Sequence, residues 1–273
     1  MGPDGASTRS ERSARAGVPI TLRAVTKRYR TARGGELQAL SEIDLSIDAG
    51  EFVSIVGPSG CGKSTLLMLV AGLIPASTGA IEIDARAVKG AVGNIAIVFQ
   101  RDVLLDWRTV LANVLLPVEI KKLDRPLHRR KARDLLRSVG LAEFEEKYPA
   151  ELSGGMRQRV AICRALVQDP GLLLMDEPFG ALDALTRAQL QIDLQNIWQS
   201  SRKTVVFVTH SIEEAVFLSD RVIVMTPRPG RVREVIEIDL PRPRALDVRD
   251  GEVFVDAIRR VNHLFQDMGV IRG

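Results

Sequence analysis

The segment Gly57-Pro58-Ser59-Gly60-Cys61-Gly62-Lys63-Ser64 fits the pattern G-x-x-x-x-G-K-[ST] without a mismatch. That spacing suits the binding of phosphate. Its glycines let backbone N–H groups converge on phosphate oxygens, and a helix opening directly behind them adds roughly half a positive charge. Lys63 would neutralise the β- and γ-phosphates of a nucleotide, and the Ser64 hydroxyl would ligate Mg²⁺. Thr65 completes the set of phosphate-loop binding residues. A glycine-rich turn with a chance lysine is the alternative, but it leaves the flanks unexplained. Phe52-Val53-Ser54-Ile55-Val56 reads as a buried strand before the loop, and residues 65–71 as an apolar helix after it.

A second chemical feature is Leu172-Leu173-Leu174-Met175-Asp176-Glu177, an apolar strand ending in two acids. Such a strand delivers them to the carboxyl edge of a sheet, where phosphates sit on α/β folds. Strand alternation sends the two side chains in different directions, which suits two roles. Asp176 joins the Mg²⁺ shell, and Glu177 polarises the water that attacks a γ-phosphate. A third feature is Leu152-Ser153-Gly154-Gly155-Met156-Arg157-Gln158-Arg159, where Ser and two glycines open another helix. It makes a second anion-binding N-terminus, far from the first in sequence. One nucleotide has one triphosphate, so the second helix end needs a reason.

These residues must be held by a scaffold, and the patterning supplies one. Short apolar strands (Ile43 to Ile47, Ile81 to Ile83, residues 94–99, 172–175, 205–208 and 221–225) alternate with helical segments. Alternation of this kind implies an α/β sheet, parallel at its centre. Residues 101–165 have helical spacing, interrupted at Pro117, and are expected to form a separate helical lobe. Residues 1–18 are rich in Gly, Ser and Arg and read as a disordered tail. An ATPase domain is expected over 19–240, then a linker at Arg242-Pro243-Arg244 and a C-terminal helix with one apolar stripe, packed on the core. At 273 residues, 45% hydrophobic and 26% charged, the chain has the composition of a soluble globular protein. No apolar run nears the roughly 20 residues that cross a bilayer, so a membrane role must come through a partner. The net charge of +4 gives no electrostatic indication of nucleic-acid binding.

With those motifs in that order, the chain resembles an ATP-binding cassette ATPase subunit over residues 20–239. The resemblance implies a P-loop NTPase (RecA-like) α/β core, a small antiparallel β subdomain and an inserted α-helical subdomain. It also implies a homodimer in which the phosphate loop of one copy and the Ser153-Gly154-Gly155 helix of the other clamp the same ATP. Further positions then take family roles. Tyr29 resembles the aromatic that stacks on adenine, and Gln100 the glutamine that touches Mg²⁺ and water. Ala181-Leu182-Asp183 resembles the loop crossing the dimer interface, and His210 the switch histidine on the γ-phosphate. Met156 stands where many members carry glutamine. Rival members of the family, such as DNA-repair ATPases, carry coiled-coil insertions that this chain lacks; a nucleotide-sensing adaptor without turnover leaves Glu177 and His210 without a task.

A finer likeness, carried by residues 103–110, 179–187 and Arg228-Pro229-Gly230-Arg231, points to the nitrate/sulfonate/taurine importer group. It implies ATP and Mg²⁺ as cofactors, a transmembrane permease and, through it, a solute-binding protein as partners, and a place at the cytoplasmic face of the membrane. Trp107 then reads as core packing or as the wall of a groove receiving the permease. Two features remain open from sequence. Cys61, at a helix N-terminus, is either a tolerated small residue or a reactive thiol. The basic run from Lys121 to Arg133, facing Asp124 alone within the run, is either a solvated helix face or a contact for anionic lipid or an acidic partner.

Overall fold

A computed structural model describes residues 17–31, 34–180 and 182–271. Six strands form the main sheet in the order β10-β9-β3-β8-β7-β6. They are β3 (Phe52–Val56), β6 (Ile95–Val98), β7 (Leu172–Asp176), β8 (Thr204–Val208), β9 (Arg221–Met225) and β10 (Val232–Glu237). Five are parallel, and β10 alone runs antiparallel, against β9. The central strands β3 and β8 are apolar runs buried along their whole length, because helices cover both faces. A smaller antiparallel sheet, in the order β2-β1-β4-β5, is built from β1 (Ile20–Arg30), β2 (Glu36–Ile47), β4 (Thr78–Ile83) and β5 (Arg86–Ala87).

The helices are α1 (Lys63–Val70), α2 (Val110–Ile120), α3 (Arg125–Ser138), α4 (Gly154–Leu166), α5 (Ala184–Ser201), α6 (Ile212–Leu218) and α7 (Glu252–Asp267). Helices α2, α3 and α4 enclose their own core of Val110, Val114, Leu136, Val160 and Cys163. Pro117 does not interrupt α2, contrary to the sequence expectation. It falls near the helix's end, where its missing N–H removes one i→i−4 bond. Asn113, fully buried, fastens the preceding turn: its amide donates to the carbonyls of Leu105, Arg108 and Thr109 and accepts from the Leu105 N–H. Trp107 rides on that turn with 75% of its surface exposed, so the core-packing reading fails.

The folded part begins before residue 19. Most of the expected tail, residues 1–16, lies outside the described residues, but its last two do not. Gly17 N–H donates to the Arg202 carbonyl at 3.2 Å, and Val18, buried, accepts from the Thr204 hydroxyl at 2.7 Å.

Past β10 the chain straps the main domain. Arg242 stacks 4.3 Å above the Trp198 ring and pairs with Asp220 at 2.8 Å. Arg244, 3% exposed, donates to the carbonyls of Val216, Phe217 and Ser219 at 2.9 Å each, and to those of Leu240 and Ile238. Burial, with help from Arg242, pushes its guanidinium down to about 10. Phe254, Val261, Leu264 and Phe265 of α7 close over the same core.

Candidate active site

The phosphate loop is shaped by exclusion as much as by attraction. Gly62 has φ +104, where a side chain is strained, and a Cβ there would approach Leu40 Cδ2 to 2.6 Å. Gly62 stands at the N-cap of α1 and offers no side chain to that helix's first N–H groups. Helices α2 to α6 each have an N-cap side chain accepting from their first turn: Thr109, Asp124, Ser153, Asp183 and Ser211. The α1 end therefore keeps its donors for an anion. Lys63 is buried, and its ammonium donates to the carbonyls of Gly57 at 2.8 Å and Pro58 at 3.2 Å. The loop thus holds the cation in place before any ligand arrives.

Around it lies a cleft of about 260 Å³, lined by Ser59, Gly60, Lys63, Ser64 and Thr65 with Tyr29, Glu177 and Arg228. Tyr29 is half-buried, paired directly with Leu37 across the β1–β2 ladder, with the Lys27 ammonium 5.1 Å from its ring centroid. Ser64 Oγ donates to Asp176 Oδ1 at 3.0 Å, which brings two of the three expected Mg²⁺ ligands together. Burial, with the neighbouring Glu177 charge, pushes the Asp176 carboxyl above its usual range, against the Ser64 hydrogen bond and Lys63. An oxygen-rich corner whose carboxylate is disfavoured by burial fits a hard divalent cation.

Glu177 departs from strand alternation. β7 ends at Asp176, and Glu177 takes φ +48, a left-handed conformation that costs a non-glycine residue about 1–2 kcal/mol. Its N–H is anchored on the Val208 carbonyl at 2.8 Å. The turn, rather than the pleat, separates the two acids. His210 Nδ1 lies 3.5 Å from Glu177 Oε2. Gly180 sits among three expected site residues: a Cβ on it would stand 3.3 Å from Gln100 Nε2, 3.5 Å from the Glu177 carbonyl and 3.9 Å from His210 Cε1. Gln100, Glu177 and His210 are thereby gathered at one edge of the sheet.

Ser153, Gly154, Gly155 and Asp183 are not among the residues lining that cleft. Ser153 is exposed and caps its own helix, accepting from Met156 N–H at 3.3 Å. Gly155 is buried against Thr186 and faces Leu182, so the Ser153 end and the Leu182–Asp183 turn are neighbours within one chain. Ala181 lies outside the described residues. Asp183 accepts from Thr186 N–H at 3.0 Å, and this contact lowers its carboxyl.

Cys61 is not a poised nucleophile. It is 1% exposed, and burial pushes its thiol up despite Lys63 nearby. The basic run also reads differently in three dimensions. Arg125 meets Glu119 at 3.7 Å, Lys131 meets Asp169 at 3.2 Å, and Arg133 forks onto Glu145. Acids outside the run, Glu119, Glu145 and Asp169, meet three of its cations, although only Asp124 lies within it.

Two residues at the site carry no expectation of their own from the sequence motifs. Glu214, buried, accepts from the Thr209 hydroxyl at 2.6 Å beside His210, with Arg187 3.6 Å away. Burial is the main cause that raises its carboxyl. Arg228 reaches the phosphate loop from 168 residues away. Only the first had a local sequence signal, an acid one turn into a helix after Ser211.

Fold and site together define a P-loop nucleotide-binding ATPase. The family model described as ABC transporter matches residues 40–180. An aliphatic sulfonates import ATP-binding protein, SsuB, of Bacillus cereus is 42% identical over 93% of this chain and 99% of its own length. A taurine import ATP-binding protein, TauB, of Rhizobium johnstonii is 50% identical over 77% of this chain and 80% of its own. Among solved structures, a dimeric bacterial ABC transporter cassette superposes with a TM-score of 0.72 at 35% identity, covering 81% of this chain and 100% of that one. The same cassette in a post-hydrolysis dimer bound to ADP and Pi gives 0.70 at 34% identity. This chain belongs to the ABC transporter family, as an ATP-binding and ATP-hydrolysing subunit.

Proposed function

We propose that this chain powers an importer for a small anionic solute, of the class of aliphatic sulfonates, taurine or nitrate, by closing as a homodimer on two ATP molecules. Relatives named for sulfonate and taurine import, aligned over most of the chain, support the substrate class. The observation that carries the dimer reading is the Ser153 helix end. It is exposed and lies outside the Lys63 cleft of its own chain. A second copy turned head to tail would bring it to the phosphates.

Tyr29 would take the adenine face, and the backbone N–H groups of residues 57–65 the phosphate chain. Lys63 would exchange the Gly57 and Pro58 carbonyls for β- and γ-phosphate oxygens. Ser64, Asp176 and Gln100 would hold Mg²⁺, which supplies charge neutralisation on the phosphates. Glu177, fixed by its turn, would orient and polarise the attacking water, while His210 would hold the γ-phosphate. Closure by the partner's Ser153, Gly154 and Gly155, with the Asp183 turn at the interface, would exclude bulk water and strengthen these contacts. Inorganic phosphate release would loosen the clamp.

No helix among the described residues is long and apolar enough to cross a membrane. The transmembrane path would belong to permease subunits docked at the exposed Trp107 turn, with the cassette on the cytoplasmic face. A solute-binding protein would deliver the solute to that permease from the other side. The test is co-expression with candidate permease and solute-binding subunits of a sulfonate or taurine importer, followed by uptake into proteoliposomes. ATP- and solute-dependent uptake supports the reading. A permease that transports without this chain, or ATP that leaves the purified protein monomeric, overturns it.

A further inference from the structure

The loop between β9 and β10, which carries the Arg228-Pro229-Gly230-Arg231 segment, lies far in sequence from the phosphate loop, yet it is built into the nucleotide cleft. It closes on itself through Thr226, whose N–H donates to the Arg231 carbonyl at 3.0 Å and whose hydroxyl accepts from Arg231 N–H at 3.2 Å. It is then stitched to β2: Gly230 N–H donates to the Ala39 carbonyl at 3.0 Å, and Ser41 N–H to the Gly230 carbonyl at 2.8 Å. Gly230 packs so tightly on the phosphate loop that a Cβ would collide with the Cys61 carbonyl. The strand it is sewn to also lines the cleft with Leu37 and Ala39 and pairs with Tyr29. Loop, strand and phosphate loop therefore form one unit.

At the tip of this loop stands Arg228. Its Nε and Nη2 donate to the Gly60 carbonyl at 3.1 and 2.9 Å. A guanidinium has five N–H donors. Arg228 Nη1 makes no hydrogen bond, and the residue no ion pair, among the described residues. Glu177, the carboxylate lining the same cleft, lies beside His210 instead. The cleft thus holds two cations, Lys63 and Arg228, with Arg228 uncompensated. A polyanion entering the cleft would meet both cations.

We propose that Arg228 is a second cationic binding residue of the nucleotide cleft, holding the phosphate loop by the Gly60 carbonyl and offering its remaining N–H groups to the phosphate chain of ATP. It is a binding residue and takes no part in the proton chemistry at Glu177. The inference uses the ATP cleft but not the transport reading, so an importer that fails to transport leaves it standing.

The test compares Arg228→Ala, Arg228→Gln and Arg228→Lys by displacement of a fluorescent ATP analogue with ATP, adenosine and inorganic triphosphate. Glutamine can still donate to the Gly60 carbonyl without charge, whereas lysine keeps the charge without the fork. Loss of a charge-assisted contact should weaken ATP and inorganic triphosphate about tenfold in the Ala and Gln variants. Adenosine should compete as it does for the wild type, and Lys should recover part of the loss. The salt dependence of ATP binding should also flatten in Ala and Gln but not in Lys. Full recovery by Gln would reduce Arg228 to a loop prop. Equal weakening of adenosine, or wild-type ATP affinity in the Ala variant, would likewise overturn the proposal.

Discussion

Two helix ends in this protein look alike as sequence, each a glycine-rich start to a helix, and they differ in what the fold has already done for them. The α1 end is complete within one chain. It has no side chain at its N-cap, its cation is held by the loop's own carbonyls, and a distant hairpin braces its outer wall. The α4 end is provisional. Ser153 satisfies its own helix, and Arg157 turns away to Asp102 and the Leu152 carbonyl. An organised anion site and an unfinished one in a single molecule are what the proposed head-to-tail dimer requires, the second being the end that a partner copy would complete.

The sharpest way to break this contrast is to separate chemistry from closure. Glu177→Gln should lower phosphate release by roughly 10²–10⁴-fold while leaving ATP binding intact; a variant that turns over at the wild-type rate removes Glu177 from its role. Because it stalls after binding, the same variant should elute as a dimer with ATP. Adding Ser153→Arg should return it to a monomer with unchanged nucleotide affinity, read by gel filtration and by displacement of the analogue. Persistence of the dimer would mean that α4 does not face the second nucleotide.

Glycine replacements probe the two ends at smaller scale. Gly62→Ala must fit a side chain at φ +104 against Leu40, and should cost about 1–3 kcal/mol in urea unfolding. Gly154→Ala meets only Arg157 Nη2 at 3.9 Å, so its effect on monomer stability should stay within about 0.5 kcal/mol. The smallest effect is chemical. Burial raises the Cys61 thiol and carries Cys163 to about 12, so the thiolate, which is the form that reacts, is scarce at neutral pH and increases only as pH rises. Iodoacetamide at pH 7.5 should leave both thiols of the native protein unlabelled over a period that modifies free cysteine, and should label both in denaturant.

Much of this was legible in residue order because it is local. The phosphate loop, the acid pair and the apolar strands each occupy a few consecutive positions whose spacing has a direct steric or electrostatic meaning. Glu177 shows the limit. Its identity was readable, but the left-handed turn that aims it depends on an anchor at Val208, two strands' worth of topology away. The contacts of Arg228 and Glu214 were out of reach for the same reason, since their partners are supplied by the fold. The basic run misled in the opposite sense: counted along the chain it faced one acid, whereas Glu119, Glu145 and Asp169 arrive from elsewhere. Cys61 stood open between a tolerated small residue and a reactive thiol, and burial decides for the first.

One consequence follows from Arg244. The carbonyls at the end of α6 are answered by a residue that follows every motif in the order of translation. A ribosome must therefore deliver every motif, and then Arg244 beyond them, before that helix end can be capped. A nascent chain arrested shortly ahead of that arginine would carry every motif and still present a frayed, wettable underside to the quality-control machinery.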